Sequence, residues 1–129
     1  MMTPDKKPKL LVVDDEIEHC SLIKDYFSDK YEVCVAYDGV DAVNKVGEFA
    51  PDCVLMDIKM PKMDGITALE LIKTSHAKIP VIMVSASGSV RAATESVKKG
   101  ADDYILKPVD LQELENKIEI ALRKAKVIK

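Results

Sequence analysis

Tryptophan is absent from this 129-residue sequence, and tyrosine and phenylalanine bring the aromatic share to only 5%. An isoalloxazine ring needs aromatic faces to stack on, so a flavin site is poorly supplied. Cysteine is scarce: Cys20, Cys34 and Cys53 are an odd number, with no CxxC pair. That spacing offers neither a redox dithiol nor a paired zinc-ligand motif, and it fits small buried hydrophobes kept reduced. Long apolar runs are missing as well. They extend only a few residues, far short of the roughly 20 that cross a bilayer, so no membrane partner is expected. The first nine residues, Met1 to Lys9, are polar and hold two prolines, unlike a secretory leader, which makes the cytoplasm the expected location. Excess positive charge is lacking too. Lys and Arg number 19 against 22 Asp and Glu, for a net charge of −3 and a pI near 5.4. Nucleic-acid binding is therefore not expected of this chain.

What is present suits one soluble domain with one sizeable core: 47% of residues are hydrophobic and 32% charged. Short apolar runs alternate with helical stretches. Lys9 to Val13 reads as a strand ending in Asp14-Asp15, after which Asp15 is expected to cap a helix carrying Leu22, Ile23, Tyr26 and Phe27. Tyr31 to Ala36 reads as a second strand. Asp38 caps a second helix with Ala42, Val43, Val46 and Phe49 on its apolar face, and Pro51 stops it. Cys53 to Met56 is a run buried on both faces that ends at Asp57. Pro61 and Gly65 then open a loop, and Asp64 starts a third helix reaching about Ser75. Val81 to Val84 ends in Ser85-Ala86-Ser87-Gly88. A fourth helix spaces Val90, Ala93 and Val97 at i, i+3, i+7 and stops at Lys98-Lys99-Gly100. Asp103 to Leu106 is a short strand before Lys107-Pro108. Asp110 and Glu113 form a capping-box variant that opens a last helix with Leu111, Leu114, Ile118, Ala121 and Ala125 on one stripe. Five strands alternating with five helices imply βαβ units and a parallel sheet with right-handed crossovers.

A parallel sheet gathers its strand ends along one edge, where ligands of open α/β folds bind. That edge would hold Asp14 and Asp15 from the first strand, Asp57 from the third, Ser85 from the fourth and Lys107 from the fifth. Clustered carboxylates resist ionisation unless a cation joins them. Mg²⁺, which takes a few carboxylates plus water and phosphate oxygens, would resolve the repulsion. Asp57 could then attack phosphorus to form an aspartyl phosphate, with Lys107 and the Ser85 hydroxyl neutralising phosphoryl oxygens. Each residue alone has a plainer reading: a turn-forming or capping Asp, a loop serine, a solvated lysine. Jointly they form one charge-balanced set drawn from four strands. Tyr104, three residues before Lys107, reads from sequence as packing.

The stretches Val12-Val13-Asp14-Asp15-Glu16, Met56-Asp57-Ile58-Lys59-Met60-Pro61-Lys62-Met63-Asp64-Gly65, Val84-Ser85-Ala86 and Lys107-Pro108-Val109-Asp110 together resemble the receiver (REC) domain of two-component response regulators. The likeness runs from about Lys9 to about Ala125. Gly88-Ser89-Val90 and Lys98-Lys99-Gly100-Ala101-Asp102-Asp103-Tyr104 look most like receivers of the nitrogen-regulation type, which precede an ATPase and a DNA-binding module. The resemblance implies a flavodoxin-like (βα)5 domain over 9–125, strand order 2-1-3-4-5, with a polar tail over 1–8 and a tail or linker start over 126–129. It implies that Asp57 accepts a phosphoryl group from a sensor histidine kinase or phosphotransfer protein. Mg²⁺ would be held by Asp15, Asp57 and the Lys59 backbone carbonyl, with Asp14 acting through water. Lys107 would hold the phosphoryl group, Ser85 would move to bond it, and Tyr104 would swing inward. The readout face would be the fourth helix, fifth strand and fifth helix, serving homodimerisation or control of an output domain. A cis Lys107-Pro108 bond is expected. The chain would be no enzyme beyond its own phosphorylation and dephosphorylation.

Departures from the family are small. Its hydroxyl position is more often Thr, and Ser85 lacks the methyl that helps fix a rotamer. Ala86 leaves the site open, and Lys59 stands where a side chain can hinder or assist a hydrolytic water. Two other functions compete. A stand-alone Mg²⁺-dependent phosphatase working through an aspartyl phosphate would usually carry an Asp two residues after the nucleophile, where this chain has Lys59. A docking module that is never phosphorylated would have no use for the intact acidic set.

Overall fold

A computed structural model of the chain describes residues 6–86 and 88–129. Five strands and five helices alternate: β1 (Lys9–Val13), α1 (Ile17–Phe27), β2 (Glu32–Ala36), α2 (Gly39–Phe49), β3 (Cys53–Asp57), α3 (Gly65–Ser75), β4 (Val81–Ser85), α4 (Val90–Lys98), β5 (Asp103–Leu106) and α5 (Leu111–Lys124). The strands form one parallel sheet in the order β2-β1-β3-β4-β5, as expected of a flavodoxin-like receiver.

Side chains alternate across each strand, so the apolar runs feed two cores. Leu10, Val12, Leu55, Ile82 and Ile105 face α1 and α5, meeting Cys20, Phe27, Leu114, Ile118 and Leu122. Leu11, Val13, Val54, Met56 and Met83 face α2 and α3, meeting Ala42, Val46, Ala68, Leu69 and Ile72. Helices on both faces explain why β3 and β4 are buried at every position and read as unbroken apolar runs. Register brings their ends level: Asp57 pairs with Val84, Ser85 with Leu106, and Val13 with Met56.

The expected caps hold in three helices. Asp38 accepts from the Asp41 N–H, Asp64 from Thr67, and Asp110 from Gln112 and Glu113. Gly100 follows α4 at φ +104°, where an L side chain is strained. Two expectations, for Asp15 and Cys34, need correction. Asp15 does not cap α1: Glu16 occupies the cap position with no side-chain bond, and Asp14, turned inward, accepts the Glu16 N–H at 2.9 Å. On α4, Val90 and Val97 are exposed and the helix buries Ser96, whose hydroxyl donates to the Ala92 carbonyl. Cys34 is half-buried, unlike Cys20 and Cys53.

Residues 1–5 of the expected tail, and Ser87, lie outside the described residues. At the other end Ile128 packs against the α1/α5 core. Among the described residues no helix is long and apolar enough to cross a membrane.

Candidate functional site

The carboxyl edge of the sheet is concave. A cleft of about 940 Å³ opens there, lined by Asp14, Asp15, Asp57, Lys59, Ser85 and Lys107. Its far wall continues over Leu22, Ile23, Pro108, Val109 and Leu111. The structure thus brings together every strand-end residue singled out in the sequence.

Burial differs among the acids. Asp14 and Asp57 are 4% and 7% exposed, while Asp15 is exposed. Asp57 closes β3, and its Oδ1 accepts from the following Ile58 N–H at 2.8 Å. Lys107 follows β5 and reaches across the edge. Its Nζ lies 3.0 Å from Asp14 Oδ2 and 3.5 Å from Asp57 Oδ2. Its backbone N–H donates to the Ser85 carbonyl at 2.8 Å, which ties the loop after β5 to the end of β4. The Lys107-Pro108 peptide is cis.

The unequal distances decide the electrostatics. Burial pushes the Asp14 carboxyl up, but the Glu16 N–H and the near Lys107 ammonium outweigh it and hold it below the ordinary value. Asp57 shows the reverse. Burial and the Asp14 charge outweigh Lys107 and the Ile58 N–H, and raise it to about 6. Burial lowers the Lys107 ammonium, but bonding and attraction to Asp14 and Asp57 prevail and raise it. The ammonium therefore serves Asp14 first and leaves Asp57 under-compensated.

That imbalance suits a hard dication. Asp14, Asp15 and Asp57 present oxygens mutually within 4.8 Å. Three carboxylates against one ammonium leave two negative charges uncompensated, and oxygen ligands of this kind match Mg²⁺. On this donor chemistry the residues fit such an ion.

Two of the sequence-predicted residues lie outside this contact set. Tyr104 does not line the cleft; it packs half-buried against the α2/α3 core. Lys59 lines the cleft mouth and is exposed. One residue was missed by reading strand ends alone. His19, in the first turn of α1, places Nδ1 3.3 Å from Asp14 Oδ2 and 3.5 Å from Lys107 Nζ. Its signal lay in helical spacing: a side chain one turn into the helix after β1 overhangs the same edge. Cys20 lies just beneath. Its thiol donates to the Asp14 carbonyl, and burial first, with the Asp14 charge next, raises it to about 11, so it stays protonated.

Asp15→Ala is expected to weaken Mg²⁺ binding by more than about 100-fold, since it removes a carboxylate from the acidic set and even an outer-shell change costs roughly 10–100-fold. Titration of Mg²⁺ by calorimetry checks this, and an unchanged affinity would move the ion elsewhere.

Comparison with known proteins agrees with the geometry. The sequence profile of the response regulator receiver domain matches residues 10–119. The transcriptional regulatory protein ZraR of Salmonella typhimurium is 41% identical over 117 residues, which cover 90% of this chain and 26% of the relative. The chain thus spans about a quarter of the length of such relatives. Among solved structures, the receiver domain of the Francisella response regulator 1452 superposes with TM-score 0.85 at 33% identity, covering 92% of this chain and 98% of that one. NtrX from Brucella abortus superposes with TM-score 0.86 at 33% identity, covering 95% of this chain and 29% of that one. Matched along nearly its whole length in sequence and fold, the chain belongs to the receiver domains of two-component response regulators, with relatives of the ZraR and NtrX type.

Proposed function

We propose that this receiver is a phosphorylation switch in which Asp57 takes a phosphoryl group from a sensor histidine kinase or phosphotransfer protein. The observation that supports this most is the state of Asp57: a buried carboxylate at the head of an open cleft, under-compensated by Lys107 and backed by two further acids. A carboxylate oxygen of Asp57 attacks phosphorus, the P–N bond to the donor imidazole breaks, and that ring keeps the electron pair and takes up a proton. Asp15, Asp57 and the Lys59 backbone carbonyl would hold Mg²⁺, with Asp14 acting through water. When bound, the ion supplies charge neutralisation for the transferring oxygens. Lys107 holds one phosphoryl oxygen and orients the group. The Ser85 hydroxyl bonds another.

The switch follows from those two contacts. A phosphoryl group biases a two-state equilibrium only through contacts that differ between the states. If Ser85 and Lys107 favour the active form by ~3 kcal/mol, the population ratio shifts by roughly two orders of magnitude. Tyr104 swings inward with Ser85, and the change reaches the surface of α4, β5 and α5. That face carries exposed Val90, Val97, Leu106 and Ile120, which suits a homodimer or an output domain. An output domain of transcription-regulating type accords with relatives that are much longer than this chain.

The test uses the full chain with Mg²⁺ and acetyl phosphate, read by intact mass. One phosphoryl adduct is expected in the parent and none in Asp57→Asn; an adduct retained in the variant overturns the reading. Ser85→Ala should still be labelled yet lose the chemical-shift changes around Tyr104. Equal shifts in parent and variant count against the Ser85–Tyr104 coupling.

A further inference from the structure

We propose that Asp14, Glu16 and His19 form a second cation site, for a first-row transition-metal ion such as Zn²⁺, on the first turn of α1 and sharing Asp14 with the acidic set. His19 Nδ1 lies 3.3 Å from Asp14 Oδ2 and 3.4 Å from Glu16 Oε1, and all three ligand atoms are mutually within 4.8 Å. Zinc–nitrogen and zinc–oxygen bonds of about 2.0–2.1 Å in a tetrahedron place neighbouring ligands about 3.3–3.4 Å apart. The two closest contacts already stand at that separation. Glu16, at the cap of α1, and His19, in its first turn, are spaced i, i+3, which brings their side chains to one side of the helix start. A single ring N–H at Nδ1 can satisfy only one of the two carboxylates it faces, whereas a dication between them bonds all three groups.

The donor set also selects the ion. An imidazole nitrogen suits zinc, copper or nickel, while Mg²⁺ takes oxygen. The two sets therefore differ in chemistry although they overlap at Asp14. Half of the site is open: the Glu16 and His19 side chains are 61% and 43% exposed, so an ion enters from solvent and water completes its coordination. Among the described residues, Lys107 is the cation in contact with the site, 3.0 Å from Asp14 Oδ2 and 3.5 Å from His19 Nδ1. An incoming ion displaces it from Asp14, and Asp57, 3.5 Å away, is its remaining partner. Occupation thus takes Asp14 from the Mg²⁺ set and turns Lys107 onto the phosphoacceptor. Both effects oppose phosphoryl uptake.

The metal alone tests the site. Zn²⁺ is titrated into the full chain against a chromophoric chelator, and Co²⁺ is followed by its visible bands. The parent should bind one ion with a four-coordinate Co²⁺ spectrum. His19→Ala and Glu16→Gln should each lose more than about 100-fold in affinity, beyond the roughly 10–100-fold that an outer-shell partner is worth. His76→Ala should match the parent. Parent-like affinity in His19→Ala overturns the proposal. So does a Co²⁺ spectrum lost in Asp15→Ala but kept in His19→Ala, which puts the ion in the acidic set. A second arm rests on the phosphoacceptor reading: at fixed Mg²⁺, Zn²⁺ should slow labelling by acetyl phosphate in the parent and much less in His19→Ala. Labelling indifferent to saturating Zn²⁺ overturns the competition. Absence of labelling without Zn²⁺ overturns the phosphoacceptor reading and leaves the titration standing.

Discussion

Asp57→Asn is expected to end phosphoryl uptake and, with divalent ions chelated, to make the protein more stable above pH 6. Asn keeps the shape and an acceptor for the Ile58 N–H but has no anionic nucleophile. The gain in stability follows from the raised carboxyl. Asp57 stands near 6 in the fold against an ordinary 3.8, chiefly through burial and then through the Asp14 charge. Between those values the folded state holds the proton and the unfolded state releases it. The unfolded chain thus binds fewer protons, and stability falls as pH rises through that window. The loss is complete above the folded value and amounts to on the order of 3 kcal/mol. Below pH 4 both carboxyls are protonated and the two proteins should be nearly equal. From pH 4 to 6 the variant should draw ahead, and then hold a constant lead. Asp14 trends the other way, its lowered carboxyl losing stability as pH falls, but that contribution is largely common to both proteins. Urea denaturation from pH 4 to 8 in the presence of a chelator checks the curve. A variant less stable than the parent at pH 7 would mean that Asp57 is well compensated, which removes the argument for a cation there. Adding Mg²⁺ should stabilise the parent and leave the variant nearly unmoved, because only the parent has charge to relieve.

The same electrostatics show how far the sequence could be read. Asp14, Asp57, Ser85 and Lys107 were legible because strand period and parallel topology alone decide what reaches the carboxyl edge. Asp38, Asp64 and Asp110 were legible because a cap is local chemistry between a side chain and N–H groups two or three residues on. Asp15 misled for a tertiary reason. Lys107, 93 residues beyond Asp14, helps hold that side chain inward, where it accepts the Glu16 N–H, and the helix starts one residue later, with Glu16 at its cap position. The surroundings of the α4 stripe were not legible, because a periodicity of apolar residues marks a face without saying what the face meets. Val90 and Val97 look toward solvent while Ala92 and Ser96 turn to the protein. His19 was invisible to a reading of strand ends, since its place depends on where α1 starts and how its first turn overhangs β1.

Gly65→Ala should do the greatest damage of any single-methyl change near the site, and its cause is backbone rather than side chain. Gly65 opens α3, and its N–H donates to the Ile58 carbonyl at 2.7 Å, so the chain returns from the loop onto the end of β3. A Cβ there would stand 1.9 Å from the Asp57 carbonyl oxygen, 2.8 Å from its carbon and 2.9 Å from Ile58 Cα. None of these can rotate away. Ordinary contact, at 3.4 Å or more, needs the helix start or the strand end to move by about 1.5 Å, and the strand end carries Asp57. Overpacking of this kind costs on the order of 3 kcal/mol. A displacement of about 1 Å at a reacting group lowers its rate by roughly a hundredfold. Gly47 supplies the control. It lies within α2, exposed, with nothing within 4 Å of an added Cβ. Gly47→Ala should therefore stabilise by about 0.5–1 kcal/mol, the helical preference of alanine over glycine. Urea denaturation of the two variants should give opposite signs, and acetyl phosphate labelling should fall only in Gly65→Ala. If Gly65→Ala folds and labels like the parent, the β3–α3 loop is loose enough to absorb the methyl. Asp57 would then owe its position to β3 and Lys107 alone.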